Sequence, residues 1–458
     1  AAVRTAKGLP ATPQECRPST TGRRWWTLGG IRHRHVSPNK YTSLSDRDPK
    51  PLEIQRAQIV TKMTRYQDEA SRICGKRWAD ITRPELDFVD KTLDEEGFSS
   101  ELVKKSHKIQ MDSLDKITQT LTDFGINYTI LTSGESFTNS LDDPDEPDSP
   151  SRADYAMRHE MFHGKKYDIL ISAGGDGTFL RAALGNKAGL PQIGVNTDPT
   201  RSRGKLCSMN ASSFGAALQR LKEGKYRWLR RNRLSVRLYK SNTQGSQIEG
   251  LRTIENLALN EVFVGEKDPC RTSILRVRAD DAAFESYKCS GILISTGTGT
   301  TAWSSEASKI NPQDVIMVLR GIERVYSQIK LDNIFSNGFD AGAVSSAANE
   351  AASNDLLPPD AEEIQMLVRE PIINPKQTEK GLCIWQGQSP SKATLVGDGQ
   401  ENIDYSSLRS ICKRVTVHSA GKNTKLVLDG RIHVPLERGW EAEIFVDSKK
   451  ALWSFAFD

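Results

Sequence analysis

The 458-residue chain is predicted to fold as an α/β half up to about residue 200, followed by a β-rich half. Helix and strand signals alternate in the first part, which is the pattern of an α/β layer architecture. After residue 200 β-like stretches dominate, at 233–239, 257–265, 273–279, 291–295, 414–418, 425–428 and 442–446. At 37% hydrophobic and 26% charged residues, the chain has ample material for two cores.

The elements follow in order. Residues 57–62 form a short apolar strand. Thr82-x-x-Glu85 is a capping box with Pro84 in the first turn, opening a helix that ends at Gly97. A second helix over 99–124 carries Leu114, Ile117, Leu121 and Phe124 at helical spacing and stops at Gly125. A strand at 127–131 comes next. Residues 138–152 are acidic and Pro-rich, as in a solvated loop. A helix at 153–164, an apolar strand at 168–173, a Gly-rich turn, a helix from Phe179 and a strand at 193–195 complete the first half. An Ala/Ser-rich helical stretch at about 312–353 interrupts the second. The predicted divisions are 1–50 as a presequence, 55–200 as the α/β domain, 201–446 as the β-rich domain and 447–458 as a tail.

The charge is unevenly spread. Residues 1–45 hold eight cations and one carboxylate, a net +7, so the formal +5 of the whole chain leaves −2 for the remainder. Arg-rich, Ser/Thr-bearing and acid-poor, this stretch has the composition of a mitochondrial transit peptide. The basic balance therefore points to a compartment, the mitochondrial matrix, and not to a nucleic-acid partner. Trp25-Trp26 beside Arg23-Arg24 falls inside it and is discounted as a nucleic-acid patch. The seven cysteines are scattered and never spaced as CxxC, against a disulfide framework or zinc ribbon. No run approaches the roughly 18 apolar residues of a membrane helix.

Gly174-Gly-Asp-Gly-Thr178 stands between a buried strand and a helix. Such a turn aims backbone N–H groups at phosphate oxygens, and glycine lets a ligand approach the backbone. A carboxylate there repels an anion unless it serves as a base or works through a divalent cation, which marks Asp176. The plainer alternative is a tight β–α turn with Asp as a cap. Thr296-Gly-Thr-Gly-Thr-Thr-Ala-Trp303 follows the strand at 291–295. It contains GxGxxA but lacks the downstream strand of a dinucleotide fold, so it is a hydroxyl-rich loop suited to phosphate or ribose. Asn260-Glu261 lies in an apolar strand, where adjacent side chains face opposite ways and at least one is buried. His159-Glu-Met-Phe-His163 matches HExxH, but no third ligand stands at a protease spacing, and two exposed histidines on a surface helix are preferred.

These motifs, in this order and with Ile193-Gly-Val-Asn-Thr-Asp-Pro199 between the first and the Asn-Glu pair, resemble the NAD kinase family. The similarity is greatest to its mitochondrial branch, where the third motif reads Thr-Gly-Thr-Gly. Lys62-Met-Thr-Arg-Tyr66, Arg201-Ser-x-Gly204, Tyr226-Arg-Trp-Leu229, Arg369-Glu-Pro371 and Asp429-Gly430 add to it. The resemblance spans about residues 57–446. It implies a Rossmann-like α/β domain of the GGDGT superfamily, a β-rich C-terminal domain and a site between them. It implies Mg²⁺-dependent transfer of the γ-phosphoryl of ATP to the 2′-hydroxyl of the adenosine ribose of NAD⁺, by a homodimer. Asp176 would be the base, and Gly174, Gly175, Gly177 and Thr178 the phosphate cradle. Asn196, Asp198, Asn260, Glu261, Thr296, Gly297, Thr298, Gly299, Ala302 and Trp303 would bind nucleotide. No metal ligand is assigned, since Mg²⁺ would come with the ATP phosphates. A lipid kinase of the diacylglycerol or sphingosine type, which shares GGDGT, is the alternative. Ser290 stands where many family members have Asp, the 138–152 loop resembles an insertion, and 376–413 matches poorly.

Overall fold

The computed structural model describes residues 48–133, 167–241, 248–326, 338–353, 356–372 and 409–457, and the backbone of four short strands at 25–28, 31–34, 395–396 and 400–401. The acidic 138–152 loop, the 153–164 helix and the HExxH motif lie outside the described residues.

The first half is built on a twisted sheet whose main path runs Asn127–Ser133, Arg56–Lys62, Ile169–Ala173, Gln192–Asn196, Leu452–Ala456, Arg227–Arg231. The first four strands are mutually parallel. Every residue of Ile169–Ala173 and Gln192–Asn196 is buried, as expected of parallel strands covered on both faces. On one face, Leu114, Ile117 and Leu121 of helix Ser100–Asp123 join Phe214, Leu218 and Leu221 of helix Phe214–Lys222 in a single core. On the other, Ala182 of helix Asp176–Gly185 packs on Val60 and Leu170. Helices Arg65–Cys74 and Arg83–Glu95 form a small core of their own around Tyr66, Ala70, Val89 and Leu93. The capping box at Thr82 and Glu85 is present. The chain order places a topological switch between Arg56–Lys62 and Ile169–Ala173, and ligands of open α/β sheets bind outside the carboxyl ends of the strands at such a point. The helix expected from Phe179 begins three residues earlier, at Asp176.

The second half is a pair of six-stranded antiparallel sheets. One runs Ile248–Thr253, Leu234–Ser241, Glu441–Val446, Arg414–Ser419, Ser273–Ala279, Glu285–Cys289, and the other Arg409–Cys412, Ile364–Arg369, Gly291–Ser295, Glu261–Glu266, Thr424–Leu428, Ile432–Pro435. Their inner faces share one core that includes Val236, Val262, Leu275, Ile294, Val417 and Ile444. Helices Pro312–Val325 and Ala341–Ser353 supply the helical insertion.

Two boundaries differ from expectation. Arg227–Arg231, placed in the β-rich domain by its position after residue 200, belongs to the first sheet. Residues 447–458, expected as a tail, contain the strand Leu452–Ala456, which lies between Gln192–Asn196 and Arg227–Arg231. Its apolar residues Leu452 and Phe455 are buried, which a solvated tail would not allow. The chain thus crosses between the halves at 231–234 and again at 446–452. Arg233 sits at the crossing and donates to the carbonyls of Lys450, Ala183 and Asn186.

Candidate active site

The Gly174-Gly-Asp-Gly-Thr178 turn leaves the carboxyl end of Ile169–Ala173 and enters helix Asp176–Gly185. Its three glycines answer different needs. A Cβ on Gly174 would lie 2.3 Å from Thr178 Oγ1, and one on Gly175 2.5 Å from Ser202 Oγ. A Cβ on Gly177 would meet nothing within 4 Å, so only this glycine faces open space. The amides of Thr178 and Phe179 already bond the Gly175 carbonyl. Those of Gly175, Asp176 and Gly177 have no hydrogen-bond partner among the described residues, the usual state of a helix N-terminus and one suited to phosphate.

The Asp176 carboxylate is fixed from the opposite side. Oδ1 accepts from the Leu206 amide at 2.7 Å and Oδ2 from the Lys205 amide at 3.1 Å. The 197–206 loop that supplies these amides is itself braced. Asn196 accepts from the Asp198 amide and donates to the Ser202 carbonyl. Asp198 accepts from both the amide and the hydroxyl of Thr200. Gly204, at φ +59°, leaves room for the Asn196 amide, which a Cβ would approach to 2.4 Å. Gln110, buried on the long helix, ties three strand ends together: it donates to Thr61 Oγ1 and the Ala173 carbonyl and accepts from the Thr197 hydroxyl.

A cavity of ≈ 1020 Å³ opens at these strand ends, lined by Gly175, Asp176, Gly177, Thr178, Asn196 and Asp198 among others.

A second wall, whose residues do not line this cavity, comes from the β-rich half. Thr296 donates from its amide to the Asn260 carbonyl and from its hydroxyl to the Leu259 carbonyl, and accepts from the Gly299 amide. The loop therefore lies backbone on backbone. A Cβ on Gly299 would stand 1.9 Å from the Asn260 carbonyl oxygen, and one on Gly297 1.8 Å from that of Pro358. Asp429, buried and at φ +46°, accepts from the amides of Leu259, Asn260 and Glu261 at 2.7, 2.8 and 3.0 Å. Burial pushes its carboxyl up to about 6 despite those three bonds. Burial, reinforced by the Asp429 charge, pushes Glu261 up to about 8. Asn260 Oδ1 and Glu261 Oε2 are buried without a partner among the described residues. Buried polar atoms are normally satisfied, so this pair stands ready for a ligand. Trp303 is half-exposed, with its ring 5.2 Å from that of Phe263 and the Arg369 guanidinium 5.1 Å from its centroid.

Two cations join the walls. Arg231, buried, donates to Thr298 Oγ1 and to Ser454 Oγ at 3.3 Å each. Burial lowers it to about 10 while the Asp176 charge opposes the drop, so it stays protonated at neutral pH. Lys205 Nζ donates to the Thr301 carbonyl at 3.3 Å. Beside them, Cys207 is pushed up to about 12 by burial and the Asp176 charge, and is inert as a nucleophile.

No protein-family model matches the chain. It is 30% identical over 453 residues to NAD kinase 2, mitochondrial, of Xenopus tropicalis, covering 88% of this chain and 91% of the relative. The chain belongs to the NAD kinase family. The proteins of the same name from Rattus norvegicus and Homo sapiens are 30% and 29% identical, over 70% and 76% of this chain and 74% and 77% of theirs. These relatives place it in the mitochondrial branch. Among solved structures it is similar to yeast NADH kinase complexed with NADH, at 14% identity, with 89% of this chain and 84% of that chain covered and a TM-score of 0.47.

For this NAD kinase family member, the sequence-predicted site residues fall into two groups. Gly175, Asp176, Gly177, Thr178, Asn196 and Asp198 line the cavity. Gly174 lies buried beneath Thr178. Asn196 and Asp198 each make two side-chain hydrogen bonds that brace their own loop. Asn260, Glu261, Thr296, Gly297, Thr298, Gly299, Ala302 and Trp303 form the second wall, which Arg231 and Lys205 join to the first. Both Asn260 and Glu261 are buried, where the strand alternation required only one. Sequence reasoning gave no role to Arg231, Lys205, Gln110 or Asp429. Of these only Asp429 carried a signal, as half of an Asp-Gly pair whose left-handed φ suits a turn.

Proposed function

We propose that the chain transfers the γ-phosphoryl group of ATP to the 2′-hydroxyl of the adenosine ribose of NAD⁺, giving NADP⁺ and ADP. The observation that carries this reading is a fixed carboxylate, Asp176, between open amides suited to phosphate and a wall holding two unpartnered polar atoms suited to a ribose. In the proposed reaction the 2′-oxygen attacks the γ-phosphorus, the bond from that phosphorus to the β,γ-bridging oxygen breaks, and the hydroxyl proton passes to Asp176. A ribose hydroxyl is a weak nucleophile at neutral pH, so a placed base contributes on the order of 10²–10⁴ in rate. The remaining catalysis is positioning and charge stabilisation. The amides of Gly175, Asp176 and Gly177 meet the phosphates, and buried Arg231 supplies a positive charge near Asp176. Asn260 and Glu261 orient the acceptor. With Glu261 protonated at neutral pH, the pair offers an acceptor oxygen beside a carboxyl donor.

Mg²⁺ fits as an ion carried by the donor. It takes one or two carboxylates, phosphate oxygens and waters, and Asp176 and Asp198 both line the cavity. When bound it neutralises phosphate charge. A mitochondrial location follows the names of the relatives, and we place the enzyme in the matrix, as a homodimer. Nothing in the site favours a lipid acceptor. Labelled ATP offered with NAD⁺ and with diacylglycerol side by side tests the assignment: label in NADP⁺ alone is expected, and label in the lipid alone would overturn it.

A further inference from the structure

Arg233 has no role in the reaction as described, yet it is a buried charge. It stands at the first crossing of the chain between the halves, and its carbonyl accepts from the Asp447 amide at the second. Its guanidinium reaches three carbonyls. Nε donates to that of Lys450 at 2.7 Å, and Nη1 to those of Ala183 and Asn186 at 3.3 Å each. Ala183 lies in the last turn of helix Asp176–Gly185, and Asn186 is its C-cap. A cation among the last carbonyls of a helix occupies lone pairs left open there and complements the helix dipole. Asp176 is the first residue of this same helix. Burial lowers Arg233 to about 10 while the charges of Asp429 and Asp447 oppose the drop, so it stays protonated at neutral pH. Asp429 is the carboxylate that holds the Leu259, Asn260 and Glu261 amides. One buried cation therefore faces both the helix that begins at Asp176 and the carboxylate that fixes Asn260 and Glu261.

The packing follows the same path. Phe179 and Ala183 of this helix meet Leu206, Leu259 and Leu452 in one buried cluster. Leu206 supplies the amide that donates to Asp176 Oδ1, and Leu259 immediately precedes Asn260. Leu452 opens the last strand, two residues after Lys450. Leu184, next to Ala183, is buried in the core of the β-rich half. The helix is thus docked on both halves. Apolar burial of this kind is non-directional, and by itself leaves the helix free to slide a little along its seat. The three hydrogen bonds of Arg233 are directional and fix that position. The helix has ten residues and spans about 15 Å, so a shift at its C-terminal end is carried along the close-packed rod to Asp176.

We propose that Arg233 is a positioning residue for phosphoryl transfer: it holds the C-terminal end of helix Asp176–Gly185 against the Asp429 clamp and so sets the Asp176 carboxylate relative to Asn260 and Glu261. The proposal rests on the phosphotransferase reading above and adds the residue that fixes its geometry. Arg233 does not line the cavity, so its loss acts on kcat and not on KM. The test is steady-state kinetics on the full chain with NAD⁺ and Mg²⁺-ATP, well below the melting temperature, for wild type, Arg233→Met, Arg233→Lys and Val417→Ala. Val417 is buried in the core of the β-rich half, between Val277 and Ala442 on the neighbouring strands, and controls for general destabilisation. Arg233→Met is expected to lower kcat on the order of 10²-fold, with KM for each substrate within about twofold of wild type. Arg233→Lys keeps the charge but not the planar fork, and should recover about half of that loss on a logarithmic scale. Val417→Ala should melt at a lower temperature and keep kcat within about twofold. An unchanged kcat in Arg233→Met, a rise in either KM large enough to account for the loss, or an equal loss of kcat in Val417→Ala would overturn the proposal. If Arg233→Met does not fold, Arg233→Lys is judged by the same criteria, with about a tenfold loss of kcat expected. If wild type forms no NADP⁺, the kinase reading fails by itself, and hydrogen exchange decides the role of Arg233. The amides of 183–187 and 259–261 should then lose protection together in Arg233→Lys while those of 414–419 keep theirs. Loss in all three segments, or in neither of the first two, would refute it.

Discussion

Gly174, Gly175 and Gly177 occupy one turn for three reasons, and their substitutions should behave differently. Gly174→Ala forces a methyl against Thr178 and should destabilise the fold by about 1–3 kcal/mol. Gly177→Ala meets no atom and replaces a helical glycine, so it should gain from a few tenths to about 1 kcal/mol. Its methyl nonetheless narrows the approach to the amides, and kcat/KM for ATP should fall. Thermal melts paired with kinetics check both. Glu261 has a pH signature. Its carboxyl titrates near 4.5 in the unfolded chain and near 8 in the fold. Between these values the folded state keeps a proton that the unfolded chain has lost, so stability declines as pH rises through this window. Asp429, raised from 3.8 to about 6, acts in the same direction. Calorimetry across the window should show the decline in wild type and a flatter profile in Glu261→Gln. Identical profiles would refute the buried-acid account. Asp176 was legible because a carboxylate inside a glycine turn contradicts simple phosphate binding. Arg231 was not, because an arginine in the run Arg-Trp-Leu-Arg-Arg looks solvated until the fold buries it.

At the scale of elements, the wall that carries Asn260 and Glu261 depends on a junction of backbones. Asp429 holds three successive amides just ahead of Glu261–Glu266, and Gly299 lies against the Asn260 carbonyl. Asp429→Ala leaves three buried amides without an acceptor and should cost about 3 kcal/mol or more. Urea unfolding measures it, and a loss below about 1 kcal/mol would show that the clamp is not structural. Eleven of the strands and the long helices were readable from the sequence, while strands such as Ile248–Thr253, Ile364–Arg369 and Ile432–Pro435 were not. Glu285–Cys289, whose exposure alternates along an edge of its sheet, offers a weaker apolar pattern and was not singled out. Helix Arg65–Cys74 was also passed over. Its buried residues are only Tyr66 and Ala70, too few for a visible stripe. The motif loops were legible as glycine clusters, but which glycine packs and which lies open depends on neighbours distant in sequence.

At the scale of the molecule, the last strand closes the first sheet, so the two halves are not independent along the chain. Leu452–Ala456 places Phe455 in the core of the first half and Ser454 beside Arg231. Removing residues 447–458 should abolish cooperative unfolding, as read by circular dichroism and calorimetry. A truncated protein with a native melt would refute the closure. This return was hidden because a twelve-residue stretch beyond a β-rich domain carries no mark of which sheet it joins. The charge partition was visible from the start and separates a basic stretch over residues 1–45 from a slightly acidic remainder, while the local basic excess around the cavity emerges only once distant segments meet. In the proposed reaction Asp176, fixed by the Lys205 and Leu206 amides, drives phosphoryl transfer to NAD⁺. The most direct test is the rate of NADP⁺ formation from NAD⁺ and Mg²⁺-ATP by wild type and by Asp176→Asn, with the melting temperature of each. Wild type should turn over and Asp176→Asn should lose on the order of 10²-fold or more in kcat while remaining folded. Equal turnover in the two proteins would contradict the account.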